Sequence, residues 1–99
     1  MLKFSRLHSV DDPLKTAKKA GLLYVQDTTP GIERKKTGKT FCYKMPDGAG
    51  VKDREVLERI EDMRIPPAWT DVWICTRENG HLQVTGRDAK GRKQYLYHP

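Results

Sequence analysis

Apolar positions along this chain follow two periods, and the changes of period mark its elements. Val56, Leu57, Ile60 and Met63 recur at helical spacing on one face, while Arg54, Glu55, Glu58, Arg59 and Glu61 are available to water. Asp53 stands where the cap of that helix belongs. Elsewhere the apolar runs are short and strand-like. Leu22 to Val25 is one, stopped by the turn residues Asp27-Thr28-Thr29-Pro30-Gly31. Ile32 to Tyr43 reads as a hairpin with its tip near Lys36-Thr37-Gly38. Val72 to Thr76 has large apolar residues on both faces, the mark of a central strand. Asn79-Gly80 is a strong hairpin signal, after which His81 to Thr85 pairs back with Leu82 and Val84 on one face and Gln83 and Thr85 on the other. Asp88-Ala89-Lys90-Gly91 turns again into a last strand, Arg92 to Tyr97.

Prolines and glycines punctuate the rest. Met45 to Gly50 is a turn, and Pro66-Pro67 forbids regular pairing, which leaves Trp69 to plug the edge of the core. Near the N-terminus, Asp11-Asp12-Pro13 starts a short peripheral helix over Leu14 to Ala20 that Gly21 ends; residues 1–10 carry no ordering signal. The expected fold is therefore α+β: a twisted antiparallel meander of about five strands with two short helices. Residues 1–20 form a peripheral segment and 21–99 the domain proper.

Length and charge narrow the function. Ninety-nine residues suffice for one core but not for a core plus a deep catalytic cleft. Lys and Arg number 19 against 13 Asp and Glu, a net charge of +6, which points to polyanions or anionic surfaces without specifying either. The charge is uneven. Residues 31–50 hold five basic residues against two acids, and 71–99 five against three, whereas 51–70 lean acidic with four against five. Two basic segments are thus expected on one curved surface with the acidic segment turned away.

Catalytic and metal-binding patterns are missing from the sequence. His8, His81 and His98 are scattered without ligand spacing, and Cys42 and Cys75 form no C-x-x-C pair, so both are expected as buried free thiols. Thr37-Gly38-Lys39-Thr40 has the ending of a phosphate-binding loop, but Glu33 replaces the first glycine and a strand, not a helix, follows. No apolar run is long enough to span a bilayer and no signal-peptide core opens the chain, so a cytoplasmic protein without membrane association is expected.

What remains is the stretch from Gly86 to Tyr97. Lys90, Arg92 and Lys93 can neutralise phosphates, Gln94 can bond two atoms of a base edge, and Tyr95 and Tyr97 offer flat apolar faces with polar tips. Lys35, Lys36 and Lys39 place a second basic group at the hairpin tip. The same residues also fit a solvated turn before an edge strand with half-buried tyrosines. Strand alternation puts Tyr95 and Tyr97 on one face and Gln94 with Leu96 on the other, unless a bulge intervenes.

The run Gly86-Arg87-Asp88-Ala89-Lys90-Gly91-Arg92-Lys93-Gln94-Tyr95-Leu96-Tyr97-His98-Pro99 resembles the end of the N-terminal domain of poxvirus-like bacterial type IB DNA topoisomerases. Three further segments resemble the same family in the same order: Gly21 to Val25 with Pro30-Gly31-Ile32, Lys39 to Tyr43, and Ile65 to Ile74. The resemblance covers about residues 21–99. It implies a two-domain clamp around duplex DNA in which a larger C-terminal domain carries the nucleophilic tyrosine, needs neither ATP nor metal, and works as a monomer. Tyr95 and Tyr97 match the tyrosines with which similar domains contact bases in the major groove, Gln94 the glutamine before them, and Arg92 and Lys93 the basic residues near the backbone. The chain ends where similar proteins continue, so it is expected to be inactive by itself, with no catalytic residue, cofactor or metal, and with duplex DNA and the catalytic domain as partners. Two other classes stay open: a single-strand or RNA binder stacking bases on Tyr24, Tyr43, Tyr95 and Tyr97, and a protein-interaction domain with basic loops.

Overall fold

A computed structural model describes residues 21–99; the expected helix over 14–20 and the order of residues 1–10 lie outside the described residues. Five strands form one antiparallel sheet: β1 (Ile32–Thr37), β2 (Thr40–Lys44), β3 (Thr70–Ile74), β4 (Leu82–Arg87) and β5 (Lys93–Tyr97). One helix, α1 (Arg54–Asp62), separates β2 from β3. The order across the sheet is β2-β1-β3-β4-β5. It departs from a simple meander at one place, because the chain leaves β2 through α1 and returns beside β1, where Ile32 pairs with Ile74.

The β1–β2 hairpin closes on two residues, Gly38 and Lys39, between the paired Thr37 and Thr40. Gly38 has φ 64°, the positive φ that a tight hairpin needs at its first central position. Asp53 caps α1 by accepting the Glu55 N–H at 2.9 Å. Ile60 and Met63 then pack with Ile32, Trp69, Val72, Ile74, Val84 and Leu96 into the core. All of that core lies on one face of the sheet; the other carries no helix among the described residues, but the segment before β1 crosses it, where Asp27 meets Lys93 and Thr29 O accepts from Trp73 Nε1, and Thr85 beneath is only 3% exposed.

Five expectations change. Leu22 to Val25 is not a strand: Leu23 makes a single bridge to Gly80, donating its N–H to Asn79 O and accepting from His81 N–H, and the Val25 N–H goes to the His81 ring. Ladder growth stops there because the next donor is spent on a side chain. Asn79-Gly80 is not the centre of a two-residue hairpin. The Gly80 N–H bonds to Arg77 O, so Glu78 and Asn79 are central, within a loop that runs from Ile74 to Leu82. A Cβ on Gly80 would lie 2.6 Å from Cys75 Sγ, so this glycine serves close packing and not a primed turn.

Leu82 and Val84 do not share a face either. The register steps from Leu82↔Tyr97 to Val84↔Leu96, which leaves Gln83 as the extra residue of a β-bulge. Gln83 consequently turns toward α1, fully buried, where its Oε1 accepts from Arg59 Nη1 at 2.6 Å. Arg59 is therefore not a solvated helix residue; its other nitrogen, Nη2, donates to Cys75 O at 2.7 Å. Finally, Cys75 is buried but Cys42 is exposed, because β2 is an edge strand and Cys42, opposite Lys35, faces the uncovered side.

Candidate nucleic-acid interface

The pairing register fixes which side chains share the uncovered face. Glu33, Trp73, Thr85 and Tyr95 stand opposite one another on β1, β3, β4 and β5, one row across the sheet. Two residues further along, alternation brings Lys35, Arg87 and Lys93 to the same face at a second level. With neighbouring strands about 4.8 Å apart, three spacings separate Lys35 from Lys93 by roughly 14 Å. An irregularity in β3 between Thr70 and Trp73, with Asp71 at φ 50°, interrupts the second row. The antiparallel order also brings the Gly38–Lys39 turn and the loop between β4 and β5 to the same end of the sheet. The two basic segments thus flank one face, and the acidic segment forms the helix behind it.

Below the charged row runs a line of rings. Tyr95 stacks on Tyr97 with centroids 6.1 Å apart and planes at 15°. Tyr97 meets His81 at 6.2 Å, and His81 stacks on Tyr24 at 4.7 Å. The His81 Nδ1 accepts the Val25 N–H at 3.0 Å, which assigns the ring proton to Nε2. Burial holds the His81 pKa below the usual histidine value, opposed by a bond with Leu23. Burial, with Tyr95 adding to it, pushes the Tyr97 hydroxyl up.

The loop before β5 is organised by one carboxylate. Asp88 Oδ1 accepts the N–H groups of Lys90 and Arg92 at 2.9 and 3.0 Å, and Oδ2 accepts Arg92 Nε and Gln94 Nε2, both at 3.0 Å. Desolvation alone would raise the Asp88 pKa, but these bonds outweigh it and the net shift is downward. Lys93 points into the face, its Nζ 2.6 Å from Asp27 Oδ2 and 5.7 Å from the Tyr95 ring centre. Asp27 follows the same logic: burial raises its pKa, yet bonds to Lys93 and Thr85 and the Lys93 charge bring it below the ordinary value.

The sequence-predicted residues divide accordingly. Lys35, Lys93, Tyr95 and Tyr97 lie on the uncovered face. Lys36, Lys39 and Lys90 are exposed at the loop end and make no ion pair among the described residues. Lys35 is held by Glu33 at 3.4 Å and Arg92 by Asp88 at 3.0 Å. Gln94 is not brought round: β5 runs without a bulge, Gln94 pairs with Gly86, and its amide is tied to Asp88. Tyr43 leaves the tyrosine set, because it packs against the core on the helix side. Arg34, counted among the basic residues of the hairpin, grips the proline loop, its Nη2 donating to Pro66 O at 3.0 Å and Trp69 O at 2.8 Å.

Sequence reasoning missed Asp27, Trp73, Thr85 and Arg87 as members of this face. Alternation within β4 would have put Arg87 beside Thr85, but nothing in the sequence joins Asp27 to Lys93. An open pocket of about 270 Å³ lies among Asp27, Asp71, Trp73, Thr85, Gly86, Arg87 and Lys93. Among the described residues no group of three or more His, Cys, Asp and Glu side chains is placed to hold a metal ion, and no helix is long and apolar enough to cross a membrane.

The fold is that of a small α+β domain, its core packed on one sheet face and the charged row and the rings on the other. Residues 40–88 match the family described as "Bacterial DNA topoisomerase IB, N-terminal domain". The "DNA topoisomerase 1B" of Acanthamoeba polyphaga mimivirus is 46% identical over 67 residues, which cover 68% of this chain and 20% of that relative. The chain belongs to the family of bacterial and viral-type DNA topoisomerase IB N-terminal domains. It spans about a fifth of the length of the viral relative. No solved structure matches it. The family match ends at residue 88, before β5.

Proposed function

We propose that this domain is the non-catalytic half of a type IB topoisomerase clamp and that its uncovered sheet face grips duplex DNA. The observation that carries the reading is the pair of rows on that face, Lys35, Arg87 and Lys93 above Trp73, Thr85 and Tyr95. A charged row of roughly 14 Å is comparable with the ~12 Å width of a major groove, so cations can meet phosphates while rings lie toward base edges. Lys36, Lys39 and Lys90 extend the same field beyond the sheet end. Cleavage and rejoining belong, in this reading, to the remainder of the enzyme.

Tyr95 and Tyr97 supply the test. Both rings are half-buried on an edge strand outside the core, so their loss removes contact surface and leaves the core packed. In the full-length enzyme, Tyr95→Ala or Tyr97→Ala is expected to weaken DNA binding before cleavage by about 1 to 3 kcal/mol, the range for a good base contact. Tyr→Phe costs less if the ring provides most of the contact. Denaturant midpoints measured on the same variants decide the matter. Stability losses of ~3 to 5 kcal/mol, as for fully buried aromatics, with no separate binding defect, would contradict the groove-reading role.

A further inference from the structure

Asp27 is the most enclosed acid of this face. Its side chain is only 22% exposed, held by Lys93 Nζ at 2.6 Å and by the Thr85 hydroxyl, whereas the Glu33 side chain in the first row is 63% exposed. These partners, an ammonium and a hydroxyl, with Arg87 lining the same pocket while its Nη1 donates to Gly91 O at 3.1 Å, form a donor set that a phosphate oxygen would take. The carboxylate sits where an anion belongs. Asp71 is the opposing charge: with Asp27 in place the pocket has two acids and two cations, and without it two cations face Asp71 alone. A volume of about 270 Å³ holds far more than a single water, whose share of liquid volume is ~30 Å³.

The segment carrying Asp27 is short and fixed at both ends. Val25 is bonded to His81 at 3.0 Å, and Thr29 O accepts from Trp73 Nε1 at 2.8 Å. Between them a turn is closed on Gln26 O by the Thr29 N–H at 3.2 Å and the Thr29 hydroxyl at 2.7 Å. Asp27 lies inside that turn, and its own segment contributes no strand to the sheet.

We propose that Asp27 is a displaceable stand-in for a backbone phosphate: in the free domain its carboxylate fills an anion seat made by Lys93, Thr85 and Arg87, and a phosphate of duplex DNA replaces it. The inference rests on the duplex-binding reading above. Its consequence is a threshold on association, because each encounter must break one ion pair before the face reaches its full positive charge. The ionised state of Asp27 is secure at neutral pH, so the displacing agent is the phosphate and not a proton.

The test is duplex affinity of the 99-residue chain at several salt concentrations. Asp27→Asn is expected to bind about 2- to 5-fold more tightly, the effect of freeing a lysine from a partly exposed ion pair. Its slope of log affinity against log salt should steepen by at most ~0.9, one phosphate. Glu58→Gln on the helix makes the same charge change on the far side and should gain less. Combining Asp27→Asn with Lys93→Met should remove the gain. If Asp27→Asn misfolds, the carboxyl carbon resonance of Asp27 in the unsubstituted chain reports directly: saturation with DNA should move it toward that of a water-exposed aspartate. Binding by the parent with no gain in Asp27→Asn, an equal gain in Glu58→Gln, or an unmoved carboxyl resonance in the complex would overturn the inference while leaving the duplex reading standing. Absence of binding by both parent and variant at low salt would overturn both.

Discussion

His81 joins the loop that carries Asp27 to the aromatic row, and its protonation state is structural. The Nδ1 lone pair accepts the Val25 N–H, so a proton there breaks a bond and places a charge between Tyr24 and Tyr97. The folded pKa lies below the ordinary value of 6.5, chiefly through burial. Between the folded value and 6.5 the unfolded chain binds more protons than the folded one. The stabilisation is therefore complete above pH 6.5 and is lost as pH falls through the interval below it, at no more than about 1.4 kcal/mol per pH unit for one proton. Unfolding midpoints measured downward from neutral pH should show this loss, and His81→Asn should flatten it. A ring resonance titrating at or above 6.5 would contradict the account.

At the scale of elements, β4 decides both faces of the sheet. Its bulge turns Gln83 inward, where Oε1 accepts from Arg59 and Nε2 donates to Arg77 O at 3.0 Å and Gly80 O at 2.7 Å, locking the long β3–β4 loop. Burial lowers the Arg59 pKa, although Cys75 and Glu78 oppose it, so Gln83 serves a partly desolvated cation. Gln83→Ala is expected to cost about 2 to 3 kcal/mol, the range for stranding a charged hydrogen-bond partner, seen as a lower denaturant midpoint. A change under about 0.5 kcal/mol, typical of neutral surface sites, would show that the network contributes nothing.

The same strand marks the limit of what the sequence disclosed. Helix α1 and the basic hairpin were legible because each follows from local period and turn residues. The bulge was not, since Leu82-Gln83-Val84-Thr85 alternates as a regular strand and only the partners of Gln83 reveal the extra residue. Leu22 to Val25 failed for a related reason: its composition suits a strand, but a histidine 56 positions away takes the next donor. Of the candidate interface, the shared face of Lys93, Tyr95 and Tyr97 was readable by alternation. Asp27, Trp73 and Thr85 join them only through strand order and a folded-back loop.

For the whole molecule, the sheet separates two environments. Its helix side holds the core, with the acidic segment outside it; the other side carries rings, hydroxyls and cations, crossed among the described residues by the loop that bears Asp27. Lys35 and Lys93 on that side are held in check by Glu33 and Asp27, and Arg92 in the loop before β5 by Asp88, while Lys36, Lys39 and Lys90 have no ion pair among the described residues. Association should therefore begin at the loop end and complete on the sheet. A chemical-shift titration of the chain with short duplex DNA tests this most directly. The account predicts that the largest shifts fall on Lys35, Thr85, Arg87, Lys93, Tyr95 and Tyr97, with Lys39 and Lys90 beside them, and that Glu55, Glu58 and Glu61 on α1 stay still. Shifts concentrated on the helix, or none on the two rows at saturating duplex, would contradict it.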